Sequence, residues 1–259
     1  MTNETQPVLY SVDGGIATLT LNRPEKRNAL NDGVIAGIKD GLKKASKDER
    51  VRVVVISGAG KDFCSGADLA ALQKIANASV AENSEVARLL LDLFLLIRQL
   101  PIPVVAAVTG RALAGGCGLA TACDLVLAAS SARFGYPEVK IGFVPAMVMA
   151  ILRRNVSEKR AFELITRGAE ISADQAKLFG LVNHVFPEEN FEEAVNQYVS
   201  EFEKMSASAI GLTKTLLYQM DGMAFAEALE TGADVNVIAR LTDDCQQSIA
   251  KFLQKDRGY

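Results

Sequence analysis

Gly110-Arg111-Ala112-Leu113-Ala114-Gly115-Gly116-Cys117-Gly118-Leu119-Ala120 follows the apolar run Val104–Val108. Glycines where a strand opens into a helix expose amides at the positive end of the helix dipole. The spacing is not the G-x-G-x-x-G dinucleotide fingerprint, and no acidic residue ends a following strand to hold a ribose. No G-K-[ST] follows, so it is not a Walker loop either. Gly118 lies within the first helical turns, where Gly costs about 1 kcal/mol relative to Ala. Two explanations stay open: tight packing of helix on strand, or room for a substrate above the helix.

Outward from this stretch, strand-like runs recur at Ile16–Leu21, 53–56, Val104–Val108, Leu125–Ala129 and 181–186. Each is rich in Val, Ile or Leu and bounded by Gly, Pro, Asn or Ser. Helical patterns lie between them. Asp32–Lys47 carries Val34, Ile35, Ile38 and Leu42 on one face. Residues 80–100 are apolar enough all round to predict a buried helix. Residues 157–166 read as a helix capped by Ser157. This alternation predicts an α/β protein. From about Phe191 the strand signals stop, and 191–205, 207–220 and 223–252 read as helices with breaks near Gly211, Gly222 and Gly232. The expected organisation is a core over residues 1–190 and a helical region over 191–259.

The 259 residues carry a formal net charge of −3, so no broad positive field attracts nucleic acid or an anionic membrane. The most apolar helical run, residues 89–97, is too short to span a bilayer. The N-terminus lacks the basic and apolar regions of a secretory signal. Cys64, Cys117, Cys123 and Cys245 form no CxxC pair, and His184 is the only histidine. No metal site is expected, and a cytoplasmic protein with reduced thiols is the simplest reading.

Three further segments bear on chemistry. Asn22-Arg23-Pro24-Glu25-Lys26-Arg27-Asn28-Ala29-Leu30 places three cations on a Pro-containing turn, suited to phosphates or simply to solvent. Phe63-Cys64-Ser65-Gly66-Ala67-Asp68-Leu69 is a small-residue turn where a ligand can approach the backbone, and where an ordinary strand-to-helix turn would look the same. In Phe134-Gly135-Tyr136-Pro137-Glu138-Val139-Lys140-Ile141-Gly142 a carboxylate follows proline in an apolar stretch. Burial would raise its pKa toward neutrality and suit it to proton transfer, whereas an exposed turn would leave it inert.

Together, in this order and spacing, and with Ser172-Ala173-Asp174-Gln175-Ala176 and Phe179-Gly180-Leu181-Val182-Asn183 further on, these segments resemble the crotonase (enoyl-CoA hydratase/isomerase) superfamily. The resemblance covers nearly the whole chain. It implies a spiral of ββα units followed by a helical trimerisation region, assembling as a homotrimer or as a hexamer of two trimers. It also implies an acyl-CoA thioester as substrate, with coenzyme A part of that substrate and no separate cofactor.

Residue by residue, the resemblance places an oxyanion hole at the amides of Ala67 and Gly115, with Gly116 adjoining. It assigns Arg23, Lys26 and Arg27 to the CoA phosphates, and the backbone at Ala29 with the Gly66–Asp68 turn to the pantetheine and adenine end. Phe252 and Lys255 match positions that reach a neighbouring subunit's CoA. Glu138 falls on the acid that moves a proton at C2 or C3. The chain departs from two-carboxylate hydratases in carrying Gly118 where they carry a first Glu. It also has Ala146-Met147-Val148-Met149 where glycines are common, which implies a narrower or reshaped acyl pocket. Hydration of a short or branched 2-enoyl-CoA, of enoyl-CoA or methylglutaconyl-CoA type, is the expected reaction. The alternatives are Δ3,Δ2-enoyl-CoA isomerisation by Glu138 alone and acyl-CoA binding without turnover. A serine hydrolase is disfavoured because no G-x-S-x-G turn is present. His184 reads as structural, and Asp124 as a brace for the strand that follows it.

Overall fold

The computed structural model describes residues 6–68, 70–71, 73 and 77–256, with backbone alone at 254–256. Six strands form the main sheet: β1 (Val8–Asp13), β2 (Ile16–Leu21), β3 (Val53–Gly58), β4 (Val104–Val108), β6 (Leu125–Ala129) and β9 (His184–Phe186), in that spatial order. β1 and β2 form an antiparallel hairpin, and every later neighbour pairs in parallel. A smaller sheet contains β5 (Arg111–Leu113), β7 (Arg133–Gly135) and β8 (Ile171–Ser172).

The near-continuous apolar sequences of β3, β4 and β6 require cover on both faces. On one face Val54, Ile56, Val104, Ala106 and Val126 join the large core. There they meet α1 (Asp32–Lys47), α2 (Val80–Gln99) and α3 (Gly115–Ala122). On the other face Val53, Val55, Val105, Leu127 and Ala129 pack on Phe191, Val195 and Val199 of α7 (Phe191–Ser200). The first helix after residue 190 thus closes the second face of the sheet. Between these lie α4 (Ala146–Asn155), α5 (Glu158–Arg167) and α6 (Ala173–Phe179).

The remaining helices are α8 (Ala207–Gln219), α9 (Phe225–Arg240) and α10 (Asp243–Asp256). Two of the expected breaks are absent, because Gly211 lies inside α8 and Gly232 inside α9. Gly211 serves packing instead: a Cβ there would lie 2.9 Å from the Pro101 carbonyl. The chain turns at Met220–Gly222 and again after Arg240. The expectation of a helix buried all round at 80–100 is corrected as well. Only Leu93, Phe94 and Ile97 of α2 are buried, while Leu91 and Leu95 are exposed.

One buried network fastens α8 to the core. The Lys214 ammonium donates to the Ile97 carbonyl (2.8 Å), the Ile102 carbonyl (2.9 Å) and Asp124 Oδ2 (2.6 Å). Asp124 also accepts from the Val104 amide (2.6 Å) and the Tyr218 hydroxyl (2.7 Å), so it braces β4 as well as the helix. Beyond this anchor the helices present apolar side chains outward. α9 buries none of its residues, and Leu217, Phe225, Leu229, Ile238, Leu241 and Phe252 are exposed. Among the described residues no helix is long and apolar enough to cross a membrane.

Candidate active site

The four segments singled out in the sequence become neighbours in space. Leu30 bridges Ala67, Cys64 bridges Ala112, and Leu113 of β5 pairs with Gly135 of β7. β5 and β7 run parallel, so the glycine helix α3 and the turn bearing Glu138 leave their strands at the same end. That edge is where parallel sheets place ligands.

Two amides emerge there. Around the bridge, the Leu30 amide donates to the Gly66 carbonyl (2.7 Å) and the Asp68 amide to the Leu30 carbonyl (3.0 Å). In a parallel bridge the central residue's own N–H then points away, and the Ala67 amide has no acceptor among the described residues. Gly115 opens α3, so its amide has no carbonyl four residues back inside the helix. The two segments touch: a Cβ on Gly66 would lie 2.8 Å from Ala114 Cβ and 3.6 Å from the Gly115 nitrogen. Gly116 is what permits this approach, since a Cβ there would stand 2.3 Å from the Cys64 carbonyl oxygen.

The residue that aims Gly115 is itself strained. Ala114 sits at φ 49°, ψ −127°, a conformation that costs a residue with a Cβ roughly 1–3 kcal/mol. Its amide donates to the Gly135 carbonyl (2.8 Å) and its carbonyl accepts from the Gly118 amide (2.9 Å), so both ends are pinned.

Glu138 lies half-buried in the Pro137–Ile141 turn, and its Oε2 is enclosed with no hydrogen-bond partner among the described residues. Burial raises its pKa above the usual glutamate value, opposed in part by a bond to its own backbone. Its charge is felt by Cys117 on α3 and by Tyr136. The Tyr136 ring is fully buried, with its hydroxyl 3.3 Å from Thr121 Oγ1, so the turn is tied to α3. Burial pushes the Cys64 and Cys117 thiols up to about 12, which leaves neither as a thiolate near neutrality.

In the Arg23–Ala29 segment the cations divide. The Arg23 guanidinium donates to the Ala29 carbonyl (2.9 Å) and to Asp68 Oδ2 (2.7 Å). Arg23 and Asp68 are therefore engaged with each other, and the Ala70 amide followed by Arg23 holds the Asp68 pKa down. Lys26 and Arg27 are exposed. The loop is shaped by Asn28, fully buried, which accepts from the Arg23 amide (2.9 Å) and donates to the Ala59 (2.9 Å) and Asp62 (2.7 Å) carbonyls. Asp62 in turn accepts from the Arg111 amide (3.0 Å). Asn28 has φ 54°, a left-handed conformation that asparagine tolerates better than most residues. Phe252 is exposed on α10, and the Lys255 side chain lies outside the described residues.

Val148 escaped the sequence reading as an individual residue. A Cβ on Gly118 would lie 2.2 Å from Val148 Cγ1 and 3.4 Å from Phe94 Cζ. The space into which a side chain at 118 would project is hydrocarbon. Among the described residues no group of His, Cys, Asp and Glu is arranged to hold a metal ion.

Parallel strands bring two open amides and a half-buried carboxylate to one edge of an α/β protein, and comparison with known proteins gives the fold as that of the crotonases. The chain belongs to the enoyl-CoA hydratase/isomerase family, whose sequence profile matches residues 11–258. A relative from Thermus thermophilus is 40% identical over 242 residues, covering 93% of this chain and 96% of its own. The crotonyl-CoA hydratase of Syntrophomonas wolfei is 35% identical, covering 97% and 96%. Among solved structures, the enoyl-CoA hydratase of Mycobacterium smegmatis superposes with a TM-score of 0.91 at 32% identity, covering 96% of each chain.

Proposed function

We propose that the chain hydrates and dehydrates a 2-enoyl-CoA thioester of short or branched acyl group, through an enolate. The observation that carries this is the enclosed, unpartnered Glu138 oxygen on the edge where the Ala67 and Gly115 amides are open. In this reading the thioester oxygen sits between those amides, which meet the charge that develops on it without reorganising. One such donor is worth about 2.7–4 kcal/mol. Glu138 carries the proton between water and C2, at a pKa raised toward the working range. Lys26 and Arg27 meet the CoA phosphates. Arg23 acts one step back, holding the loop closed against Asp68 so that Ala29 and Gly66 line the pantetheine path. The outward apolar side chains of α8–α10 support a homotrimer, in which Phe252 and Lys255 approach a neighbour's CoA.

A second reading, Δ3,Δ2-enoyl-CoA isomerisation, is favoured by the hydrocarbon beside Gly118, which gives Glu138 no second carboxylate at that position to share the proton work. Parallel assays on crotonyl-CoA and a 3-enoyl-CoA, with E138Q as control, separate the readings. Glu138-dependent hydration supports the first, and conversion of the 3-enoyl ester without hydration replaces it with the second. Tight binding of both esters with no turnover of either would overturn both.

A further inference from the structure

We infer that Val148 is a specificity-determining residue: it seals the side of the reaction centre beneath Gly118 and so limits how water is held. This rests on the enolate reading of the Glu138 site. Gly118 stands one helical turn beyond Gly115, on the same face of α3. Helix α4 drives Val148 into that face. Val148 is 4% exposed, and its Cγ1 would lie 2.2 Å from a Cβ at 118, with Phe94 closing the other flank. A far smaller residue at 148 would leave room there, and a side chain at 118 would give that room a polar group. The glycine and the valine are therefore one feature divided between two helices.

The consequence concerns water. Hydration adds one water across the double bond, hydroxyl to C3 and proton to C2, so the water must be held while its proton is relayed. An ordered water needs two to four polar partners. Glu138 Oε2 supplies one, and the wall formed by Gly118, Val148 and Phe94 supplies none. Proton transfer at C2 needs no such water. There the carboxylate takes the C2 proton, the C–H electron pair forms the C1=C2 bond while the carbonyl π pair moves onto the thioester oxygen, and Glu138, its proton exchanged with solvent, returns one to C2 and restores the ester. The geometry therefore limits the rate of hydration relative to exchange at C2, and Val148, by closing the space at Gly118, sets that limit.

The test compares wild type, V148G, V148A, G118E and G118E/V148G. Hydration of crotonyl-CoA is measured beside deuterium incorporation at C2 of butyryl-CoA in D2O, and thermal midpoints are recorded for each protein. The expected results are a G118E/V148G protein that hydrates on the order of 10²-fold faster than wild type with a raised hydration-to-exchange ratio, and a ratio near wild type in V148A and V148G, which add room and no polar group. G118E should also lower the midpoint less in the V148G background than alone, a coupling readable even if a variant is inactive. The inference is overturned if the double variant gains no hydration over wild type, or if G118E alone gains as much hydration as the double variant. Failure of the underlying reading looks different: C2 exchange would persist undiminished in E138Q.

Discussion

Gly115 and Gly116 are adjacent, yet the structure predicts opposite outcomes for the same substitution. A Cβ on Gly115 meets only Leu30 Cδ1 at 3.4 Å, an ordinary contact. A Cβ on Gly116 lies 2.3 Å from the Cys64 carbonyl oxygen, 2.8 Å from its carbon and 2.8 Å from its Cβ. Restoring normal contact requires the two segments to separate by about 1 Å, enough to misplace a positioned group and cost roughly 100-fold. The displaced segment is the one carrying Ala67, so the loss approaches that of a whole oxyanion donor, about 10²–10³-fold in kcat. Overpacking should also cost about 1–3 kcal/mol in stability. The assay is steady-state turnover of crotonyl-CoA by G115A and G116A, with thermal midpoints. G115A should retain kcat within about tenfold, while G116A loses it and raises KM as well, because the displaced segment also carries Gly66 and Asp68, which bond to the Arg23–Leu30 loop. A folded G116A protein with wild-type kcat would refute the claim that these two segments hold the developing charge.

Three other outcomes follow from the same geometry. Ala114→Gly relieves a positive-φ alanine and should raise stability by about 1 kcal/mol, read as a rise of roughly 2–4 °C in thermal midpoint. Lys214→Met leaves the Asp124 carboxylate, only 14% exposed, without its counter-ion and should cost about 3–5 kcal/mol. In chemical denaturation that loss should shrink when Asp124→Asn is added. Glu138 has a folded pKa above its unfolded value, so its contribution is complete below the ordinary glutamate pKa and is lost as pH rises through the raised one. E138Q should therefore gain thermal stability relative to wild type between acid and neutral pH, and a pH-independent difference would contradict the burial of that carboxylate.

The sequence made the long, strongly patterned elements legible. Asp32–Lys47, Ile16–Leu21, Val104–Val108 and Leu125–Ala129 stand where periodicity and apolar runs put them. The strands β5, β7 and β8 are only two or three residues long, too short for a period to emerge, and they are what bring Gly115 and Glu138 to one edge. Glycine misled where it packs rather than turns, as at Gly211 against Pro101. At the candidate site, the resemblance pointed to Glu138 and the two amide positions, and the structure brings their segments together. The Arg23–Asp68 pair could not, because a string of cations does not reveal which one is already engaged. Nor could the role of Val148, since its contact with Gly118 joins residues 30 positions apart on different helices. Asn28 gave a faint signal, an asparagine within a turn, without hinting that it is the buried hinge of the loop.

The central claim is that Glu138 moves a proton at C2 of a thioester whose oxygen is held by the Ala67 and Gly115 amides. Deuterium incorporation at C2 of butyryl-CoA in D2O, followed by mass spectrometry, tests it without requiring water addition or a particular double bond. The account predicts exchange by the wild-type protein that falls by about 10²–10⁴-fold in E138Q, with little change in butyryl-CoA affinity. Exchange that survives intact in E138Q, or a wild-type protein that binds the ester and exchanges nothing, would contradict it.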